Sequence, residues 1–372
     1  MVEPRVYEAL SKPVVGHLDP FFFEVVEDVH KLLGNVFGTR NAFTFAISGT
    51  GSAGMEAAVA NFAEPGSKFA VFANGYFCDR ISEMAKRHGA QVVRLEKPWG
   101  EVFSNEEAES FLQREQPSMA AYVNAETSTG ALQGGAAICQ AAHEVGALVI
   151  ADTVTSLAAL PVMVDNTGID IAYSCTQKGL SCPPGLAPIT VSPRALERLR
   201  ARKTTPATWY LDIRLLDDYY ENAHRYHHTA PISLFYALRE GLILIEEEGL
   251  ENRWKRHLLC HHAFVAGVEA MGLTMHVADG SRLWNLNTPR VPAGVDDLKV
   301  RRRLMQEHGI EILGGFGPLA GKVFRVGVMG PLATEENVLF FLDAFENALR
   351  AEGFQPEDSA RPAAQAVFAA AR

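Results

Sequence analysis

The sequence contains no long apolar run. No uninterrupted stretch of its 372 residues approaches the ~18–20 that a bilayer-crossing helix requires, so no membrane partner is expected. The opening residues, Met1-Val2-Glu3-Pro4-Arg5, are not a basic region followed by an apolar one, and no secretory signal is expected there. Cysteine is scarce: Cys78, Cys139, Cys175, Cys182 and Cys260 are scattered, odd in number and free of CxxC spacing. That argues against a disulfide framework and a zinc site, and for a reducing cytoplasm. Positive charge is in deficit, with 34 Lys and Arg against 44 Asp and Glu and a formal net charge of −10. Nucleic acid and anionic membranes are therefore poor partners. There is no internal repeat. What is present is ordinary for a globular protein, 48% hydrophobic and 21% charged residues. The chain is too long for one ordinary core and suggests two domains.

From about residue 43 to 190, short apolar runs alternate with helix-like segments. Phe43–Ile47, Phe69–Ala73, Gln91–Leu95, Ala120–Val123 and Ala147–Ala151 read as strands. Helices are predicted around Met55–Ala60, from Arg80 to His88 and from Ala136 to Val145, and Ser104-Asn105-Glu106-Glu107 is a capping box that starts another. Such alternation predicts a mostly parallel sheet with helices on both faces and ligands at the carboxyl ends of its strands. Residues 232 to 270 read as helical, with one long helix linking two domains. Beyond Met275 short strands mix with helices around Asp296–Glu307 and Glu335–Ala351, an α+β pattern. The expected division is an N-terminal arm (1–20), a large domain (21–245), a small C-terminal domain (246–355) and a flexible tail (356–372). The tail is Ala- and Pro-rich with little to bury, and reads as disordered or loosely helical.

The strand Ala147–Ala151 ends in a single carboxylate, Asp152, and Lys178 follows the next strand-like run, Ile169–Ser174. An acid and a lysine so placed suit pyridoxal phosphate: the lysine forms a Schiff base and the acid partners the pyridinium nitrogen. A surface lysine and a helix-capping aspartate is the plainer alternative. Ser48-Gly49-Thr50-Gly51-Ser52-Ala53-Gly54 lies between the first strand and its helix, where glycines, amides and hydroxyls hold phosphate. Its glycines also satisfy GxGxxG, so a nicotinamide enzyme is a rival. That rival needs an acid at the end of the second strand. Here the strand ends Ala73-Asn74-Gly75, with Asp79 beyond a turn, and the rival is set aside, leaving a plain tight turn as the other option. Phe77 is suited to stack on a cofactor ring, or is simply core. The hydroxyls of Glu126-Thr127-Ser128-Thr129-Gly130 suit a phenolic oxygen, with turn chemistry as the alternative.

Together these segments resemble the class V aminotransferases of pyridoxal-phosphate fold type I, in the alanine–glyoxylate and serine–glyoxylate branch. The resemblance runs from about residue 4 to 354. It is carried by Glu126–Gly130, Asp152-Thr153-Val154-Thr155-Ser156-Leu157, Thr176-Gln177-Lys178, Arg225–Pro231 and Phe324–Gly330, in the family's order. It implies an α/β fold with a mostly parallel central sheet, helices on both faces and a smaller α+β C-terminal domain. It also implies bound pyridoxal 5'-phosphate and an obligate homodimer. On this resemblance Lys178 forms the Schiff base and acts as the base, and Asp152 keeps the ring nitrogen protonated. Thr50, Gly51, Ser52 and Gln177 hold the phosphate. Phe77 and Val154 cover the two ring faces, and Thr127 bonds the phenolic oxygen. Tyr226 and Thr229 reach the phosphate of the neighbouring subunit, and Arg325 pairs with the substrate α-carboxylate.

Some positions depart from the family pattern. The chain starts just after the Gly-Pro segment that usually lines the active-site mouth. Cys78 stands where glycine is common, Cys175 where a small residue is common, and Asn124 where histidine is frequent. Two histidine groups read as decoys for a metal. His224, His227 and His228 suit structural or dimer contacts. His257 and His261 have zinc-helix spacing, but Leu258 occupies the glutamate position, so a solvated or dimer-facing helix is expected. The reading is a cytoplasmic aminotransferase moving an amino group from alanine or serine to glyoxylate or pyruvate. A lyase, an aldolase-like enzyme or a specialised biosynthetic aminotransferase with the same cofactor is the runner-up. A nicotinamide oxidoreductase ranks below these, and a non-catalytic binding protein last.

Overall fold

The computed structural model describes residues 1–222 and 225–372. The strands in chain order are β1 (Phe43–Ser48), β2 (Lys68–Ala73), β3 (Gln91–Glu96), β4 (Met119–Val123), the short pair β5 (Ala125–Glu126) and β6 (Ala131–Leu132), β7 (Leu148–Asp152), β8 (Ile171–Tyr173) and β9 (Leu186–Val191). Seven of them form one sheet in the order β1-β9-β8-β7-β4-β2-β3. β9 runs antiparallel to both its neighbours, while β8, β7, β4, β2 and β3 are mutually parallel. The central strands β4, β7 and β8 are buried along their whole length, as continuous apolar runs covered on both faces must be. Pairing sets Val123 opposite Asp152 and Asp152 opposite Tyr173. The acid therefore sits at the carboxyl edge of the sheet, between two large buried neighbours.

A second, smaller sheet has β12 (Phe324–Gly327) between β10 (Leu286–Asn287) and β11 (Leu313–Gly314), all antiparallel. Its core draws on the helices Leu250–Ala270, Asp297–His308 and Glu335–Ala351. The predicted long helix over 232–270 is two helices, Ile232–Glu248 and Leu250–Ala270, broken at Gly249 with φ 78, a conformation that favours glycine. The first helix buries its apolar face in the large core and the second in the small one.

The predicted flexible tail is also corrected. Ala360–Ala370 is a helix whose Ala360, Ala364 and Phe368 are buried in the second core. It lies close against Leu250–Ala270, where a Cβ at Gly267 would stand 3.0 Å from the Ala360 carbonyl oxygen. The i, i+4, i+8 stripe lies on one helical face, and small side chains let the helices approach closely. Alanine-rich composition conceals that kind of burial.

The two cores are joined beside the lysine turn. Arg253, 5% exposed, donates to Glu248 (2.7 Å) and to the Gly179 carbonyl (2.7 Å). Arg256 also bonds Glu248 and donates to the carbonyls of Gly330 and Ala333. His257 Nε2 accepts from the Gly330 amide (3.0 Å) while Nδ1 faces the Arg253 carbonyl (2.7 Å), a pattern that fixes the Nδ1–H tautomer. His261 Nδ1 pairs with Asn287 Oδ1 at 2.7 Å. Both histidines are buried, which corrects the expectation of a solvated or dimer-facing face. Their nitrogens satisfy buried polar groups where the second core meets the first.

Candidate active site

Lys178 lies in the turn that follows β8. The turn is tight: Ser181 has φ 58, and a Cβ on Gly179 would come within 2.1 Å of the Leu157 carbonyl oxygen. The lysine side chain is half-buried and makes no hydrogen bond or ion pair among the described residues. Asp152 shares its cavity. Its Oδ1 accepts from the Val154 amide (2.9 Å) and its Oδ2 from the Tyr173 hydroxyl (2.7 Å). Burial pushes its carboxyl up to about 6, against the pull of those two donors.

The glycine-rich loop delivers Thr50, Gly51 and Ser52 to the same cavity. Thr50 is the N-cap of the helix Gly51–Phe62, and its carbonyl accepts from the Ala53 amide (2.8 Å); its hydroxyl makes no capping bond, so the Gly51 and Ser52 amides have no acceptor within the helix. Gly51 packs closely, since a Cβ there would lie 3.1 Å from Cys175 Cβ and 3.2 Å from a Val154 methyl.

Phe77 lies in the first turn of a helix. The helix predicted from Arg80 begins at Tyr76 and runs to Arg87, so Phe77 and Arg80 lie one turn apart on it. A distant segment causes the early start. The Tyr76 amide donates to Ser128 Oγ (3.0 Å), Ser128 Oγ donates to Glu126 Oε1 (2.6 Å), and the Phe77 amide donates to Glu126 Oε2 (3.1 Å). A carboxylate at a helix N-terminus meets both unpaired amides and the helix dipole. Only glycine fits before it, because a Cβ on Gly75 would lie 2.3 Å from Glu126 Cγ.

Burial pushes the Glu126 carboxyl up to about 7, against bonds from Ser128 and Phe77, from an ordinary 4.5. The folded protein then holds a proton that the unfolded chain has released, so this group favours folding less as pH rises from about 4.5 to 7. The loss is on the order of 3 kcal/mol. Urea midpoints of the cofactor-free protein should show this slope and Glu126→Gln should flatten it. Identical slopes in the two proteins would mean that Glu126 is ionised throughout.

Arg325, on β12, is 5% exposed. Its Nε donates to the Gly314 carbonyl (2.7 Å) and its Nη1 to the Thr127 carbonyl (3.1 Å). The guanidinium carbon lies 3.9 Å from the centre of the Phe316 ring, a cation–π contact. Burial pulls its pKa below the ordinary value. Among the described residues it forms no ion pair. With Nε and Nη1 bonded to carbonyls, the remaining N–H groups are left for an anion.

One cavity of about 270 Å³ is lined by Thr50, Gly51, Ser52, Phe77, Thr127, Asp152, Val154, Gln177, Lys178 and Arg325. Tyr226 and Thr229 are not among its lining residues; both are exposed, and their hydroxyls lie 3.4 Å apart. His227 and His228 are buried against Trp209 and Tyr210, and His224 lies outside the described residues. No group of three or more His, Cys, Asp or Glu side chains among the described residues is placed to hold a metal. Sequence reasoning missed Tyr173, Glu126, Arg80 and Phe316. Two of them carried a signal: Glu126 lies in a segment that carries the resemblance, and Arg80 lies three residues beyond Phe77, at helical spacing. The donor set fits pyridoxal phosphate: a lysine, a buried acid, free helix amides beside hydroxyls, and apolar side chains from two different segments.

A family model described as class V aminotransferase matches residues 7–318. An (S)-ureidoglycine–glyoxylate transaminase from Bacillus subtilis is 38% identical over 366 residues, 94% of this chain and 88% of that protein. The alanine–glyoxylate aminotransferase of Felis catus is 37% identical over 351 residues, 93% of this chain and 85% of that one. The crystal structure of an alanine–glyoxylate aminotransferase from Nostoc sp. matches with a TM-score of 0.92 at 48% identity, covering 94% of this chain and 93% of that one.

Proposed function

The chain belongs to the class V aminotransferases, and from that premise we propose that it moves an amino group from alanine or serine to glyoxylate or pyruvate, as a cytoplasmic homodimer. The observation that carries this reading is the meeting of Lys178, Asp152 and Arg325, from three separate segments, in one cavity. The relatives described above act on glyoxylate, which supports it as an acceptor. A cavity of about 270 Å³ that must also hold a cofactor favours small substrates.

When bound, pyridoxal phosphate supplies an electron sink that acidifies the amino acid's α-proton. Thr50, Gly51, Ser52 and Gln177 bind its phosphate, Phe77 and Val154 flank its ring, and Thr127 donates to its phenolic oxygen. Asp152 keeps a proton on the ring nitrogen. A carboxylate whose own pKa is lifted by burial shares a proton there more readily than an exposed one would. Lys178 Nζ takes the proton from the amino acid's Cα and returns it to the product side. Arg325 orients the α-carboxylate, and Phe316 screens that pair from water. A donor and acceptor screen with product analysis tests the substrate pair. Turnover of neither alanine nor serine with either acceptor would sink it.

Removing one partner of a buried charge-assisted pair costs on the order of 2–5 kcal/mol. Arg325→Ala should therefore weaken amino-acid binding at least about tenfold. Amines lacking a carboxylate should react equally with variant and parent; equal losses for both kinds would assign Arg325 to the fold.

The dimer has its own test. On this reading Tyr226 and Thr229, both exposed here, serve the neighbouring subunit's phosphate, so Tyr226→Phe and Thr229→Ala should each weaken cofactor retention several-fold. A fully active monomer on sizing chromatography would contradict the composite site.

A further inference from the structure

Three cationic side chains line the cavity, Lys178, Arg80 and Arg325, against one acidic side chain, Asp152. The proposed reaction employs two of those cations and leaves Arg80 unassigned. Its guanidinium carbon stands 5.2 Å from the ring centres of both Tyr76 and Phe77. Its Nη1 donates to Ser52 Oγ at 3.2 Å. Ser52 is the second residue of the helix Gly51–Phe62. The guanidinium is thus held over the loop that carries the free amides and the uncommitted Thr50 hydroxyl. Among the described residues Arg80 forms no ion pair, although its neighbour Asp79 is committed to Arg94 at 2.6 Å.

We propose that Arg80 is a further cofactor-binding residue, the cation that meets the phosphate of pyridoxal phosphate. This deepens the reading of the cavity given above and rests on it. Thr50, Gly51, Ser52 and Gln177 offer neutral donors, which satisfy lone pairs but leave the charge of a phosphate monoester, close to −2 at neutral pH, uncompensated. A guanidinium supplies the missing charge in a planar fork suited to phosphate oxygens, and charge-assisted bonds of this kind are about twice as strong as neutral ones. The rings of Tyr76 and Phe77 restrict the side chain before any ligand arrives, which lowers the ordering cost of binding. One helical turn therefore provides both the aromatic residue for the ring, Phe77, and the cation for the phosphate, Arg80. The capping of that turn by Glu126 and Ser128 sets the position of both.

The test compares pyridoxal phosphate with pyridoxal, which differs only in lacking the phosphate. Dissociation constants for both are measured by absorbance titration of the cofactor-free parent, Arg80→Gln and Arg80→Lys, with circular dichroism as the check on folding. Arg80→Gln should weaken pyridoxal phosphate by about tenfold or more and change pyridoxal by less than twofold. Arg80→Lys should recover most of the loss. Inorganic phosphate should compete less well against pyridoxal phosphate in the Gln variant. Equal losses for both ligands would reassign Arg80 to packing on Phe77 and overturn the proposal. So would unchanged affinities, or a defect confined to the KM of a substrate with a side-chain carboxylate. A parent that takes up no pyridoxal phosphate at all would overturn the reading of the whole site, and that result appears before any variant is compared.

Discussion

Lys178→Ala should give a folded protein that still takes up pyridoxal phosphate and has no measurable turnover. The expectation of folding comes from the geometry. The Lys178 side chain makes no hydrogen bond or ion pair among the described residues, and the turn is held by its backbone, with the Lys178 carbonyl accepting from the Ser181 amide at 3.0 Å. Truncation therefore leaves no buried partner unsatisfied, and a surface-like cost within about 0.5 kcal/mol is expected. Uptake should persist because the loop around Thr50, Gly51 and Ser52 is untouched. Turnover should vanish because no other amine lines the cavity to move the α-proton. In the parent, borohydride should fix the cofactor irreversibly to the peptide that contains Lys178. A parent that stays colourless with pyridoxal phosphate, or label found on another lysine, would defeat the assignment.

Asp152→Asn is the second large effect. The swap conserves shape in a site only 2% exposed, so packing should hold. The amide oxygen can still accept from the Val154 amide, and the Tyr173 hydroxyl, now 2.7 Å from the carboxylate, can rotate to accept from the new NH₂. What disappears is the negative charge that keeps a proton on the ring nitrogen. Losing one preorganised electrostatic partner of a transition state typically costs 10²–10³ in kcat, so kcat should fall by roughly that factor while cofactor occupancy changes little. Asp152 also has a plain structural role, since its Oδ1 caps the amide two residues on. If that were its whole function, kcat would be preserved in Asp152→Asn, whose amide oxygen still caps the Val154 amide.

The alternation of apolar runs with helical segments was enough to foresee the mostly parallel sheet, because strands buried on both faces must be apolar throughout. The capping box at Ser104 appeared as read, and Glu335–Ala351 formed the expected helix. Misreadings fell where a distant segment overrides local signals. The helix Tyr76–Arg87 starts early because Glu126 and Ser128 satisfy its first amides. The terminal helix is buried because glycine and alanine let two helices close together. The break at Gly249 was visible as a glycine, yet uninterrupted apolar periodicity on both sides obscured it.

The sequence by itself determined the chemistry available: one lysine and one acid after successive strands, a hydroxyl- and glycine-rich loop, and an arginine in an otherwise apolar segment. Those identities are local, and each has a chemical meaning before any folding is known. Only the tertiary structure decided that they face one another. Lys178 and Arg325 are far apart in the chain, and strand register together with the docking of the second core through Arg253, Arg256 and His257 brings them together. The tertiary structure also decided the electrostatics. Burial raises Asp152 and Glu126, and Arg80 and Arg325 form no ion pair among the described residues, which leaves two cations to be met by anions. Solvation and long-range neighbours set both properties, and neither can be read from sequence spacing.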